Sequence, residues 1–391
     1  MLVLVVLLAV IIGYWSLETW RHRRALAAIP IRIHVNGSRG KSSVTRLLAA
    51  AIRESGRCTV AKVTGSKARL ILPDGSEEPV VRLSTPNICE QIVILDRARR
   101  EKAEVMVMEC MAVRPDLQKT AEHQIMHSTI GVITNIRPDH LDVMGPTVDD
   151  VALNLSSTVP KNAIMVLGDA RYASVVGRVA RERGSVLKVT RPETIPAEWM
   201  RGFGYLEHEE NVATVLEVTR TLEIPDDVAL RGMHKAPPDV GVCGRWELRH
   251  RDCLLEFHNI FAANDLESTI TVWQKLGLRA TSADERWTSV ALLNLRADRI
   301  DRSLQFAEAV ERALVADHYI LIGGIPTSVQ RRFESAVPAG RLWVHGNGPV
   351  EDVFDRIAGF GRERARIGGA GNIGGIGHKI LAFVSGDTVR V

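Results

Sequence analysis

The run of apolar and polar positions divides the chain into an anchor-like start and two regions of alternating elements. Residues Leu2 to Leu17 are almost wholly apolar, interrupted by Gly13 and Ser16, with no polar stripe at helical spacing. A helix that is apolar on every face belongs in lipid or deep inside a large core, and this run approaches the length that crosses a bilayer. Tyr14, Trp15 and Trp20 close it, and Arg21, His22, Arg23 and Arg24 follow at once, as interfacial aromatics and a basic flank do. The pattern predicts a single transmembrane helix over residues 1–20 in the plasma membrane, with everything after residue 24 on the cytoplasmic side. A cleaved signal peptide would carry its charges before the apolar run, and here they come after it, although Ala25-Leu26-Ala27 mimics a processing site.

Beyond the anchor, Ile31 to Val35 alternate as a strand does, and Ser42 to Arg53 place Val44, Leu47, Leu48 and Ile52 on one helical face. Segments Val105–Glu109, Thr129–Asn135 and Ala163–Leu167 are short apolar runs, as expected of strands covered on both sides, with helix-compatible stretches such as Asn87–Lys102 between them. Alternating strands and helices of this kind predict a parallel, doubly wound sheet. The pattern breaks at Ala236-Pro237-Pro238-Asp239-Val240-Gly241, a predicted linker. A second α/β unit follows, with strands near Val290–Asn294, Tyr319–Ile322 and Leu342–Val344, and the Gly368–Gly377 stretch before a final strand near Ile380. The expected domains are residues 29–240 and 241–391.

Composition changes this picture little. At 391 residues, 46% apolar and 25% charged, the chain has the balance of a folded multi-domain protein. A formal charge of +4 gives no general field for nucleic acid, so none is expected as a partner. Cys58, Cys89, Cys110, Cys243 and Cys253 are odd in number and widely spaced, and read as buried thiols of a reducing compartment.

The sharpest chemistry lies at Asn36-Gly37-Ser38-Arg39-Gly40-Lys41-Ser42-Ser43, directly after a strand and before a helix. Glycines let backbone N–H groups turn onto phosphate oxygens, the lysine reaches the outer phosphates, and a serine hydroxyl can join a Mg²⁺ shell. The expected ligand is ATP with Mg²⁺. A full Walker A has a glycine where Val35 stands, so this is the shorter G-x-x-G-K-[ST] form. Glu109 ends an apolar strand, where an open α/β sheet places its ligand crevice; a carboxylate there can hold Mg²⁺, and otherwise it is a capped surface residue.

The stretch His34 to Ser42 resembles the phosphate loop of the Mur ligases and folylpolyglutamate synthases, and Thr134-Asn135-Ile136-Arg137-Pro138-Asp139-His140-Leu141-Asp142 is similar to their strand-end segment. The closer resemblance is to the ligase subunits of poly-γ-glutamate synthases, the CapB/PgsB type. These also have an apolar N-terminal segment close to the loop, and segments similar to Glu109–Pro115 and Leu141–Gly145. The resemblance implies a P-loop parallel-sheet ATPase domain followed by a smaller Rossmann-like α/β domain. It implies catalytic roles for Lys41, Glu109, His140 and Arg245, with metal held by Ser42, Ser84, Glu109 and His140. It places the nucleotide on residues 36–43, with Asn211 facing adenine, Arg245 of Gly244-Arg245-Trp246-Glu247 reaching the phosphates, and Asp265 of Asn264-Asp265 on the ribose. The bland alternatives are a plain turn for Ser84-Thr85-Pro86, a helix start for Asn211, and solvated polar residues for Arg245 and Asp265. One departure stands out: the carbamylated lysine that such enzymes carry after the metal histidine is absent from Asn154-Leu155-Ser156-Ser157, so Asp139 or water would complete the shell.

The implied activity is ATP-dependent formation of a γ-glutamyl amide through an acyl phosphate, with glutamate and a poly-γ-glutamate chain as substrates. A multi-pass membrane subunit, membrane lipid and a second copy of the chain are the implied partners, and the C-terminal domain would swing to close the cleft. The competing readings are another membrane-anchored ligase of the Mur or folylpolyglutamate type, or a P-loop NTPase switch without ligase chemistry.

Overall fold

The computed structural model describes residues 2–64, 68–82, 86–203, 205, 207–238, 244–261, 266–278, 286–360 and 363–386. Part of the predicted linker, together with Ser84, Thr85, Asn264 and Asp265, lies outside these described residues. The chain divides into two compact units, Met1–Asp239 and Val240–Val391.

The first unit is built on eight strands: β1 (Ile31–Asn36), β2 (Thr59–Val63), β3 (Arg69–Ile71), β4 (Glu77–Pro79), β5 (Val105–Glu109), β6 (Ile130–Ile133), β7 (Ile164–Leu167) and β8 (Val186–Val189). Their order is β4-β3-β2-β5-β1-β6-β7-β8. Pairing is parallel from β2 to β8, and β3 and β4 add an antiparallel edge. Both faces are covered, which is why these strands are apolar throughout rather than alternating. Ile33, Val35, Ala61 and Val107 face the helices Lys41–Glu54, Glu209–Thr221 and Asp226–Lys235. Val60, Met106 and Met108 face the helix Glu90–Arg100. The order runs outward from β1 in both directions, so the carboxyl ends of β1, β5 and β6 meet where such sheets bind ligands.

The N-terminal helix runs Leu2–Ala28, beyond the predicted span, because its last turns dock on the body. Ala25 and the following Ile29 are fully buried beside Ile94, Leu95, Ala98 and Met106. The Arg32 guanidinium donates to the carbonyls of Leu26 (3.2 Å) and Ile29 (2.6 Å), and to those of Met126 and His127, satisfying carbonyls left open at the helix end. Two residues, Ile29 and Pro30, separate this helix from β1.

The second unit has six strands: β9 (Arg245–His250), β10 (Cys253–Asn259), β11 (Trp287–Leu295), β12 (His318–Gly323), β13 (Leu342–Gly346) and β14 (Arg364–Gly371), in the order β13-β12-β11-β14-β10-β9. All pairs are parallel except the β9–β10 edge. Gly368, Gly369 and Gly371 do not precede the last strand but lie within it, in the middle of the sheet, and Ile380 sits on a helix, Ile376–Ser385. A Cβ on Gly368 would come within 2.3 Å of the Trp273 ring, and one on Gly369 within 2.7 Å of Phe257. The glycines are there because aromatic rings occupy the space a side chain would need, while Ile376, Ile380 and Val384 recur at helical spacing and are buried.

Candidate functional site

The stretch between β1 and the helix Lys41–Glu54 forms a tight loop. Gly37 (φ 136°) and Gly40 (φ 77°) take backbone conformations that suit glycine, and neither has room for a side chain: a Cβ would lie 2.1 Å from Thr134 Oγ1 or 2.6 Å from Asn211 Oδ1 respectively. The segment after β6 braces the loop. Ser38 N–H donates to the Asn135 carbonyl (3.0 Å), Arg39 N–H to Asn135 Oδ1 (2.9 Å), and Thr134 Oγ1 to the Arg39 carbonyl (2.5 Å). Ser38 Oγ accepts from Arg137 N–H and donates to its carbonyl, both at 3.0 Å. Asn36 Nδ2 donates to Gln118 Oε1 (2.8 Å), and its Oδ1 accepts from Gly37 N–H (2.9 Å). The side chains of Asn36 and Ser38 therefore shape the loop. No side chain caps the helix that follows, which leaves its first N–H groups as a place for an anion.

Lys41 Nζ lies on the loop itself, donating to the carbonyls of Gly37 (2.6 Å) and Ser38 (3.3 Å). Ser42 Oγ stands 3.0 Å from both oxygens of Glu109, and Thr64 N–H donates to Glu109 Oε2 (2.6 Å). Glu109 is buried, which pushes its carboxyl above the usual carboxylate range against the pull of Thr64 N–H and the Lys41 charge. Loop, lysine, hydroxyl and carboxylate thus converge at the carboxyl ends of β1 and β5. The donor set is oxygen alone, which fits Mg²⁺: that ion takes one or two carboxylate or hydroxyl ligands and fills its shell with phosphate and water. No group of three or more His, Cys, Asp or Glu side chains gathers for a metal among the described residues.

The remaining predicted residues make the following contacts. His140 is half-exposed in a left-handed conformation (φ 45°), and its Nε2 lies 3.9 Å from Asp139, which in turn is 3.4 Å from Arg39 of the loop. These contacts tie His140 to the loop but give it none with Glu109 or Ser42. Ser43 lies in the first turn of the loop helix. Asn211, near the start of the helix Glu209–Thr221, sits over Gly40 and donates through Nδ2 to Glu207 Oε1 (2.7 Å). Arg245, in the second unit, pairs with Glu247 and lies 3.4 Å from Glu256. The sequence reading does not single out Thr64, Glu207, or the buried Lys62, whose Nζ meets Glu90 (2.5 Å) beside Arg82. Glu207 precedes Asn211 by one helical turn, a spacing that could have flagged it; Lys62 carries no such signal.

Comparison with known proteins bears on both units. Residues 35–237 match the Mur ligase middle domain, and residues 247–387 match the poly-gamma-glutamate synthase CapB C-terminal domain. The chain is similar to PGA synthase CapB of Bacillus subtilis (strain 168), 34% identical over 97% of each chain. It is also similar to the capsule biosynthesis protein CapB of Bacillus anthracis, 33% identical over 97% of this chain and 81% of that one. Among solved structures, E. coli FolC in complex with DHPP and ADP shares the fold with a TM-score of 0.69 at 14% identity, covering 95% of this chain and 93% of that one.

Proposed function

We propose a mechanism from one premise: the chain belongs to the Mur ligase family, as a relative of the CapB subunit of poly-γ-glutamate synthase. It is accordingly an ATP-dependent ligase that joins a carboxylate to an amine in poly-γ-glutamate synthesis.

A carboxylate is a poor electrophile, so amide formation in water needs a leaving group. In the proposed sequence, a carboxylate oxygen of the glutamate chain attacks the γ-phosphorus of ATP and ADP departs, leaving an acyl phosphate. The amine of an incoming glutamate then attacks the acyl carbon, loses a proton and expels phosphate. Phosphoryl transfer asks the protein mainly to position groups and balance charge. The loop N–H groups would hold the phosphates, and Lys41 would exchange its bonds to the Gly37 and Ser38 carbonyls for phosphate oxygens. Ser42 and Glu109 would hold Mg²⁺, whose charge withdraws electron density from the transferring phosphoryl group. Asn211 is assigned to the adenine, Arg245 to the phosphates, Asp265 to the ribose, and Ser84 and His140 to further metal contacts. The observation that carries the reading is Ser42 Oγ at 3.0 Å from Glu109 beside an uncapped helix start.

The most apolar 18-residue window of the helix Leu2–Ala28 has a mean hydropathy of 2.2 and is wholly exposed, which supports a membrane anchor, and the basic run Arg21–Arg24 supports catalytic units on the cytoplasmic side. Such a helix could dock on a multi-pass subunit that exports the polymer, or on a second copy of the chain.

The test is to incubate the purified full chain with ATP, Mg²⁺, glutamate and short γ-glutamyl acceptors, with hydroxylamine present to trap an acyl phosphate. Glutamate-dependent ADP release and a γ-glutamyl hydroxamate are expected. ADP release at the same rate without any acceptor would leave an NTPase switch instead.

A further inference from the structure

At the base of the N-terminal helix, a cavity of about 300 Å³ is lined by Trp20, Arg21, Arg24, Asp96, Arg99 and Arg100. Its walls come from two elements far apart in sequence: the anchor helix and the helix Glu90–Arg100. Their relative placement is fixed by the buried Ala25, Ile94, Leu95 and Ala98. Four arginines face one carboxylate. Asp96 is already shared, its Oδ1 accepting from Arg99 (2.9 Å) and its Oδ2 from Arg100 (2.5 Å). Arg21 and Arg24 make no ion pair among the described residues; Arg24 stacks over the Trp20 ring at 5.3 Å. Trp20 also borders an open, mainly apolar groove of about 430 Å³ on the surface of the helix, lined by Ile12, Trp15, Ser16, Thr19 and Arg23.

We propose that the cavity and the groove together bind one anionic phospholipid, with its phosphodiester among Arg21, Arg24, Arg99 and Arg100 and an acyl chain along Ile12, Trp15 and Trp20. The surplus of guanidinium forks matches phosphate oxygens, and the apolar groove continues from the charged end toward the stretch assigned to the bilayer. A soluble anion would use the cavity and have nothing to place in the groove. The inference rests on the anchor reading above and goes beyond it: the body, through Arg99 and Arg100, reads the headgroup and so sets how the first unit stands on the membrane.

The test uses the full chain in nanodiscs of phosphatidylcholine containing a minor fraction of phosphatidylglycerol, with acyl-chain bromination on one lipid or the other. Bromine quenches tryptophan on contact, and Trp15 and Trp20 are the reporters. Quenching by the brominated anionic lipid should exceed that expected from its mole fraction about tenfold. The preference should vanish both in an Arg99→Gln/Arg100→Gln variant and in an Arg21→Gln/Arg24→Gln variant, the latter altering only side chains outside the core. Equal quenching by the two lipids, or a preference that survives in both variants, overturns the site. So does a preference that millimolar inorganic phosphate abolishes, because that result marks a bare anion site. Quenching by neither lipid removes the anchor reading and the site with it.

Discussion

Each unit buries a histidine against a glutamate, and the two pairs behave in opposite ways. In the first, His34 Nδ1 of β1 lies 2.8 Å from Glu122, whose other oxygen accepts from Ser128 N–H and Oγ at 2.9 Å. Burial disfavours the charged ring, but Cys110 and Glu122 outweigh it and raise the imidazole to about 10. In the second, His258 Nε2 of β10 lies 2.6 Å from Glu256, yet its pKa is lowered. Burial leads, and Arg366 and Arg245 add to it while Glu256 pulls the other way. The difference lies in Cys110, which has no counterpart beside His258, and in the company each glutamate keeps. The ion pair of Glu122 is with His34, whereas Glu256 also lies 3.4 Å from both Arg245 and Arg366. A carboxylate already shared by two guanidiniums has little left for a third positive charge, so His258 stays neutral and Arg245 stays oriented.

The sharpest way to break this comparison is Glu122→Gln. Removing one partner of a buried pair usually costs about 3–5 kcal/mol, and the lower end is expected here because His34 can shed its proton; a denaturant midpoint of the first unit checks it. The alkaline limb comes next. His34 has a raised folded pKa, so its contribution is fully present below pH 6.5 and is lost as pH rises through about 10. Unfolding stability should fall over that window by at most about 1.4 kcal/mol per pH unit, and His34→Gln should flatten the fall. Glu256→Gln should be milder in the same denaturant measurement, because His258 is already neutral and Arg245 is more than half exposed. Its clearer readout is catalytic: if Glu256 orients Arg245 for phosphate, KM for ATP should rise more than kcat falls. Smallest is the acid limb of the second unit. His258 has a lowered folded pKa, so its contribution is present above pH 6.5 and drains away as pH falls below it. His258→Gln should remove that slope and leave the alkaline one.

The fold and the centre of the site were legible for a common reason. Where local chemistry and global position agree, pattern suffices: Val105–Glu109 is apolar because both faces are covered, and Glu109 is polar because the strand ends there. Gly37 and Gly40 serve backbone geometry, and the motif around them carries that meaning in its spacing. The glycines at 368 and 369 have a different cause, namely the rings of Trp273, Phe257 and Phe261, which come from distant strands and helices. No local pattern separates the two uses, which is why the sequence places the final strand after these glycines, near Ile380, where the structure has the helix Ile376–Ser385. Lys62 escaped notice likewise: a lysine in a β-strand reads as an outward residue until Glu90 and Arg82 are folded over it. His140 was legible by resemblance, and its contacts run through Asp139 to Arg39 of the loop.

The two-residue joint of Ile29 and Pro30 has a mechanical consequence. With no slack between the hydrophobic helix and β1, six strand residues at about 3.3 Å each place the phosphate loop roughly 20 Å beyond the joint. Such a stalk works as a ruler more than a leash: it holds the phosphate loop at one fixed distance from the end of the apolar helix.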